Sequence, residues 1–270
     1  MADLDIGVVG AAGRMGTALI RRIVGTEGCR LAAAIERPGH PAAGRDAGAE
    51  AGIGALGVAI GADARALFEA ADVVIEFSSP AATAAHAALA GATGTAHVIG
   101  TTGLDAAQAA AVRKAAASAA VVWAPNMSIG VNLLLALTEQ VAAVLDDAYD
   151  IEIVEMHHRH KVDAPSGTAL GLGRAAAKGR GVDLDTVAAR ARDGVTGARR
   201  RGDIGFASLR GGDVVGDHAV VFAGDGERLE LGHRASSREV FAAGAVRAAL
   251  WTRGRAPGLY GMREVLGLAG

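Results

Sequence analysis

At 270 residues the chain has room for one large domain or two modest ones, and 51% hydrophobic with 21% charged residues excludes intrinsic disorder. The 27 Lys and Arg against 29 Asp and Glu leave a formal charge of −2, which supplies no excess of cation for a nucleic-acid or anionic-membrane surface. The one cysteine, Cys29, excludes an intrachain disulfide and predicts a reducing compartment. Arg199-Arg200-Arg201, flanked by Asp193 and Asp203, reads as a solvated loop. Two stretches without Asp, Glu, Lys or Arg, 77–104 and 115–138, contain too many Pro, Asn, Ser and Gly residues to be membrane spans. Residues 1–10 lack a basic region followed by an apolar one, so no secretory signal is expected and a cytoplasmic protein is.

From the start, short β-branched runs alternate with Ala-rich stretches of helical length. Strand at 6–9, helix at 14–24, strand at 31–36, a long loop, and strand at 72–77 come first. Helix 81–90, strand 97–100, helix 105–117 and strand 121–124 follow, and this alternation predicts a doubly wound parallel sheet. After Pro125 the texture changes to an apolar helix at 131–145, a long strand at 149–158 and a helix opening after Pro165. Strands at 206–210, 214–222 and 228–233 have no helices between them, and Gly211-Gly212 and Asp225-Gly226 predict hairpin turns. A helix at 238–251 and a Gly-rich tail close the chain, with 262–266 a last short strand or turn. The expected architecture is α/β: a Rossmann-type domain over 1–128, completed by 239–270, plus a smaller α+β domain over 129–238 with a mostly antiparallel sheet.

Gly10-Ala11-Ala12-Gly13-Arg14-Met15-Gly16 stands between the first strand and the first helix. A Gly-rich turn there admits a pyrophosphate onto the helix amides, although the G-x-x-G-x-x-G spacing differs from the usual dinucleotide fingerprint. Glu36 closes the second strand, 20 positions beyond Gly16, where a carboxylate accepts from ribose hydroxyls. Arg37 beside it either meets a 2′-phosphate or is a plain surface arginine, so NADH, NADPH or both are expected. Gly100, Thr101 and Thr102 end one parallel strand, and Ala124, Pro125, Asn126 and Met127 end another. Both segments fall along the same crevice and suit the nicotinamide half of the cofactor.

Three of the eight histidines crowd into His157-His158-Arg159-His160-Lys161. If the strand runs on, His157, Arg159 and Lys161 share one face and His158 and His160 the other. Pro165 then ends the extended segment, Ser166 caps the next helix, and the amides of Gly167 and Thr168 form a carboxylate site. Strand-like spacing and the absence of a nearby cysteine argue against a metal, and none is expected; a solvated basic edge remains the bland alternative.

Gly13-Arg14-Met15-Gly16, Gly100-Thr101-Thr102-Gly103, NMSIGVN over 126–132 and, above all, HHRHKVDAPSGTA over 157–169 resemble the 4-hydroxy-tetrahydrodipicolinate (dihydrodipicolinate) reductase family of lysine and diaminopimelate synthesis. The likeness runs nearly the whole length, through Ile204-Gly205-Phe206-Ala207, 212–218 and 234–238. It implies that Gly10 to Met15 bind the pyrophosphate, Glu36 and Arg37 the adenosine ribose or its phosphate, and 100–102 with 124–127 the nicotinamide. It further implies His157 as the acid–base residue, Lys161 as the proton donor, and His158, Ser166, Gly167 and Thr168 as holders of a small dicarboxylate. A cytoplasmic homotetramer joined through the second domain's sheets, closing its domains over its ligands, is implied as well. Which of His157 and Lys161 protonates carbon is left open. Glu76-Phe77-Ser78-Ser79-Pro80 in place of an Asp-Phe-Thr/Ser pattern, and Gly232 in place of a usual Thr, depart from the family.

Overall fold

The computed structural model describes residues 2–268, and the chain divides into two compact units, one of residues 1–129 with 238–270 and one of 130–237. The first unit begins β1 (Leu4–Val9), α1 (Arg14–Val24), β2 (Cys29–Ile35), α2 (Ala47–Glu50), β3 (Ile60–Gly61) and α3 (Ala64–Ala70). It continues β4 (Val73–Glu76), α4 (Pro80–Thr93), β5 (Ala96–Ile99), α5 (Ala106–Ala115) and β6 (Ala120–Trp123). The helices start where the sequence offers caps: Asp63, Ser79 and Asp105 each accept an amide of the first turn, and Asp105 with Gln108 forms a capping box.

The stretch between Glu36 and Asp72, expected as a long loop, instead holds α2, β3 and α3. One side chain explains much of it. The Asp46 carboxylate accepts from the amides of Gly48, Ala49, Leu56 and Gly57, drawing an Ala- and Gly-rich segment without hydrophobic period into a defined turn. In α3 only Leu67 and Phe68 are buried, too short a pattern to read as periodic.

The second unit contains α6 (Ile129–Val144), which opens at the boundary, then β7 (Asp150–His157), α7 (Gly167–Gly179), α8 (Leu184–Val187) and β8 (Ala188–Ala189). After these come β9 (Ile204–Arg210), β10 (Gly216–Gly224) and β11 (Glu227–Ala235). Its five-stranded sheet has the order β11-β10-β7-β9-β8 among the described residues. The long pairings of β10 with β11 and β7 are antiparallel, while β7–β9 and β8–β9 are parallel, so the sheet is mixed. The Asp225-Gly226 hairpin is present, with Gly226 at φ 88°. The Gly211-Gly212 hairpin is not: β9 and β10 flank β7 on opposite sides, and their link wraps around its end. There the amide of Gly211 donates to His157 O, and that of His158 donates to Val214 O. On the covered face, Ile151, Ile153, Ile204, Phe206, Val220 and Phe222 pack with Leu134 and Leu172, each contributing about 1.5–3 kcal/mol when fully buried.

The chain returns to the first unit as α9 (Glu239–Thr252), β12 (Gly258–Tyr260) and α10 (Met262–Val265). The segment expected as a last strand or turn is thus a short helix, and the strand lies just before it. The first unit's parallel sheet has the order β12-β6-β5-β4-β1-β2-β3 among the described residues, so β1 to β3 extend to one side and β4 to β6 to the other. Ile6, Val8, Leu19 and Ala245 are buried on one face and Val74, Ile99, Val121 and Phe68 on the other, as double winding requires.

Candidate active site

In the first unit, the candidate residues gather at the carboxyl ends of β1, β2, β5 and β6, where open parallel sheets bind ligands. The turn after β1 is made by the backbone. Gly10 sits at φ 73°, and the amides of Gly10 and Ala11 donate to Ile35 O at 2.9 and 3.0 Å. Unlike α3, α4 and α5, α1 begins on Gly13 with no side-chain cap. Gly13 and Arg14 are exposed, and a Cβ on Gly10 would enter open space. An uncapped, exposed helix start beside an open glycine turn fits a pyrophosphate. The strictest glycine is Gly16, where a Cβ would collide with Gly10 O and the backbone of Ala11; on Gly13 it would lie 3.2 Å from Gly10 O.

Glu36 follows β2, and its carboxylate accepts from the amides of Ala12 (3.1 Å) and Arg37 (3.2 Å), bringing the acidic group onto the glycine turn. The Arg37 side chain is exposed. At the end of β5, Gly100 lies where a Cβ would collide with the Phe77 ring. Thr101 is buried and accepts from the amide of Ser78 at 3.0 Å, while Thr102 is exposed. Ala124 and Met127 are buried, Pro125 is exposed, and Asn126 Oδ1 accepts from the amide of Ser128. Gly244 of α9 holds the last segment in place, because a Cβ there would strike Met127 O.

The departure at Glu76 has a local cause. Its fully buried carboxylate accepts from Ser78 Oγ (2.8 Å), meets His86 Nδ1 at 2.7 Å and lies 3.1 Å from His97 Nε2. Burial opposes its ionisation, but the two imidazoles outweigh that and hold it below the usual carboxylate range. At Gly232, by contrast, a Cβ would come no nearer than 3.8 Å to His218 O, so packing does not demand glycine.

In the second unit, β7 carries Ile151 and Ile153 into the core and then, on the same buried face, Glu155 and His157. The strand stops at His157, so the expected continued alternation through Lys161 does not occur. A turn closed by Lys161 N to His158 O delivers Lys161 instead, and its Nζ lies 2.7 Å from Asp163 Oδ1. His157 Nδ1 meets Glu155 Oε2 at 2.5 Å. With an ionised carboxylate this nitrogen carries the proton, leaving Nε2 as the acceptor of the neutral ring. Nε2 faces Gly216, where a Cβ would come to 3.0 Å.

Two further side chains come from neighbouring strands. Arg210, which registers beside His157, donates to both Glu155 oxygens at 2.8 and 2.9 Å. Burial raises the Glu155 pKa, but the Arg210 fork and His157 outweigh it and bring the carboxyl to about 2. His218, opposite Glu155 on β10, stacks edge-on against His157 at 5.0 Å between centroids, and its Nε2 lies 3.1 Å from Ser166 Oγ. Burial, then His157, lowers its pKa to about 4, which keeps it neutral. Ser166 caps α7 by accepting from the amide of Ala169. Gly167 is exposed and His158 half-buried, its ring 6.2 Å from that of His160. Glu155, Arg210 and His218 were not singled out from sequence. Glu155-x-His157 on one strand face was a usable signal, whereas Arg210 and His218 come from strands more than fifty positions away.

Residues 4–127 match the family described as dihydrodipicolinate reductase, N-terminus, and residues 130–266 match its C-terminus. The chain belongs to the dihydrodipicolinate reductase family. It is an NAD(P)H-dependent oxidoreductase whose N-terminal unit is the cofactor-binding one. A 4-hydroxy-tetrahydrodipicolinate reductase of Rhodopseudomonas palustris is 59% identical over 99% of this chain and 98% of its own. One from Ruegeria pomeroyi is 59% identical over 97% of both chains. Among solved structures, a dipicolinate-bound dihydrodipicolinate reductase from a Paenisporosarcina species aligns with a TM-score of 0.77 at 24% identity, covering 97% of this chain and 98% of that one. At that identity the structural likeness speaks for the fold alone. No helix among the described residues is long and apolar enough to cross a membrane.

Proposed function

We infer that this family member reduces 4-hydroxy-tetrahydrodipicolinate, with NAD(P)H and a proton, to tetrahydrodipicolinate, NAD(P)+ and water, in lysine and diaminopimelate synthesis. The observation that carries the reading is the Glu155–His157 pair beside Lys161 and the start of α7, which together offer an acid–base group, a cation and amide donors for a dicarboxylate. The reduced nicotinamide supplies the hydride. Residues 10–15 hold the pyrophosphate, Glu36 and Arg37 the adenosine ribose or its phosphate, and 100–102 with 124–127 the nicotinamide end. Residues 1–128 with 239–270 form the dinucleotide-binding domain, and 129–238 the domain for substrate and assembly.

The amides of Gly167 and Thr168, with the Thr168 hydroxyl and His158, bind a carboxylate, and the buried Ser166 fixes the start of the helix that presents them. Lys161 Nζ neutralises charge that develops on the substrate as hydride arrives, and the proton comes either from that ammonium or from His157 once its ring has taken up a second proton at Nε2. Assembly as a homotetramer is supported by the sheet face away from α7, where Leu209 remains 50% exposed beside Met156. Cytoplasmic residence goes with the free thiol of Cys29.

A coupled assay with the condensation product of aspartate semialdehyde and pyruvate tests the reading. Loss of NADH or NADPH absorbance that depends on this substrate is expected, and no oxidation of either cofactor would overturn it. Turnover with a different imine but not this one would instead mark a reductase of altered specificity.

A further inference from the structure

We propose that Arg210 is a positioning residue that holds both proton-handling groups, His157 and Lys161, through one guanidinium. The proposal rests on the roles given above to those two residues. The last residue of β9 registers with the last of β7, so the Arg210 side chain reaches the carboxylate beside His157. Nη1 and Nη2 donate to Glu155 Oε2 and Oε1 at 2.8 and 2.9 Å, and the same Oε2 meets His157 Nδ1 at 2.5 Å. Nη2 also donates to the backbone oxygen of Asp163 at 2.6 Å, and the Asp163 carboxylate holds Lys161 Nζ at 2.7 Å.

The two arms do different things. On the first, the fork keeps Glu155 ionised and immobile, so that His157 keeps its proton on Nδ1 and presents Nε2. A buried carboxylate without that cation would rotate or take up a proton, and the imidazole would lose its fixed tautomer. On the second arm, the 158–163 turn lies outside β7, and the bond to Asp163 O ties the residue that parks Lys161 to the same rigid sheet. Only a planar fork makes these three bonds at once. A lysine ammonium keeps the charge but not the geometry.

Steady-state kinetics, dinucleotide titration and imidazole 15N spectra of Arg210→Lys provide the test. Expected are a kcat lower by about 10- to 100-fold, substrate KM changed by less than about threefold, unchanged NADH affinity, and a His157 ring that reports mixed tautomers where the native enzyme reports Nδ1–H. The kcat loss is also expected to shrink when Arg210→Lys is made in a Lys161→Ala background, because one arm then has nothing left to position. Native kcat, or a lost kcat with a native His157 spectrum and full additivity with Lys161→Ala, would overturn the proposal. If Arg210→Lys does not fold, Glu155→Gln carries the first arm: a mixed tautomer with reduced kcat supports it, and a native spectrum with native kcat sinks it. Should His157→Gln and Lys161→Ala both keep native kcat, the roles of those residues fall, while the spectrum still decides whether Arg210 sets the His157 tautomer.

Discussion

The two candidate binding regions are made of different material. The turn from Gly10 to Gly16 is backbone: one left-handed glycine, an uncapped helix start and a Gly16 with no room for a methyl group. The region from Glu155 to Thr168 is side chain: a carboxylate gripped by an arginine, two imidazoles edge to face and a serine that caps a helix while touching one of them. A phosphate is a diffuse anion that asks only for amides at a distance, so glycine spacing suffices to describe its site. Proton transfer needs a defined atom in a defined protonation state, which takes several side chains from separate strands.

Backbone sites should fail by sterics and side-chain sites by chemistry, and substitutions can break that distinction. The largest effect is expected for Gly16→Val, which has to displace the Gly10 carbonyl and so deforms the turn itself. Dinucleotide binding should fall below detection by fluorescence titration while far-ultraviolet circular dichroism stays native; retained affinity would remove the turn from the cofactor site. Lys161→Ala should lower kcat by roughly 10²-fold or more, the scale of a lost acid or electrostatic stabiliser, with NADH affinity unmoved. Near-normal kcat would end the role given to that ammonium.

What the sequence disclosed follows the same division. The alternation of short β-branched runs with Ala-rich stretches disclosed the doubly wound sheet, and the glycine turn could be placed because its constraint is local. The 45–57 segment could not, since its order comes from one carboxylate, Asp46, reaching amides ten and eleven positions on. Nor could the β9–β10 link be read: Gly211-Gly212 looks like a hairpin turn in isolation, and only the insertion of β7 between the two strands makes it a crossing. His157 and Lys161 were visible as a cluster, but the reason they sit together is a turn tied to Arg210 and not the strand alternation first assumed.

The side-chain region should also be the more sensitive to acid. Unfolded, His218 takes a proton near the usual 6.5, whereas folded it resists until about 4. Between those values the unfolded chain binds more protons, so stability falls as pH falls, by about 1–3 kcal/mol. Glu155 adds a loss of the same sign lower down, between the usual 4.5 and about 2, as its paired carboxylate is forced to protonate. Urea midpoints of His218→Gln should therefore decline less between pH of about 7 and about 5 than native midpoints. Parallel declines would show that His218 is not what resists protonation.

The smallest effect separates positioning by amides from positioning by side chains at one helix start. Thr168→Val keeps the β-branched shape at the second residue of α7 and leaves both amides of Gly167 and Thr168 in place, deleting only a hydroxyl. A hydroxyl hydrogen bond to a charged carboxylate contributes about 1.5 kcal/mol at the low end, so substrate KM should rise roughly 10-fold. kcat should fall less, because a carboxylate held equally before and during hydride transfer contributes uniform binding. If kcat fell instead with KM unchanged, the hydroxyl would belong with His157 and Lys161 as a group acting on the reacting atoms. If neither moved, the amides alone would hold the carboxylate, and this end of the second site would be as much a backbone site as the glycine turn of the first.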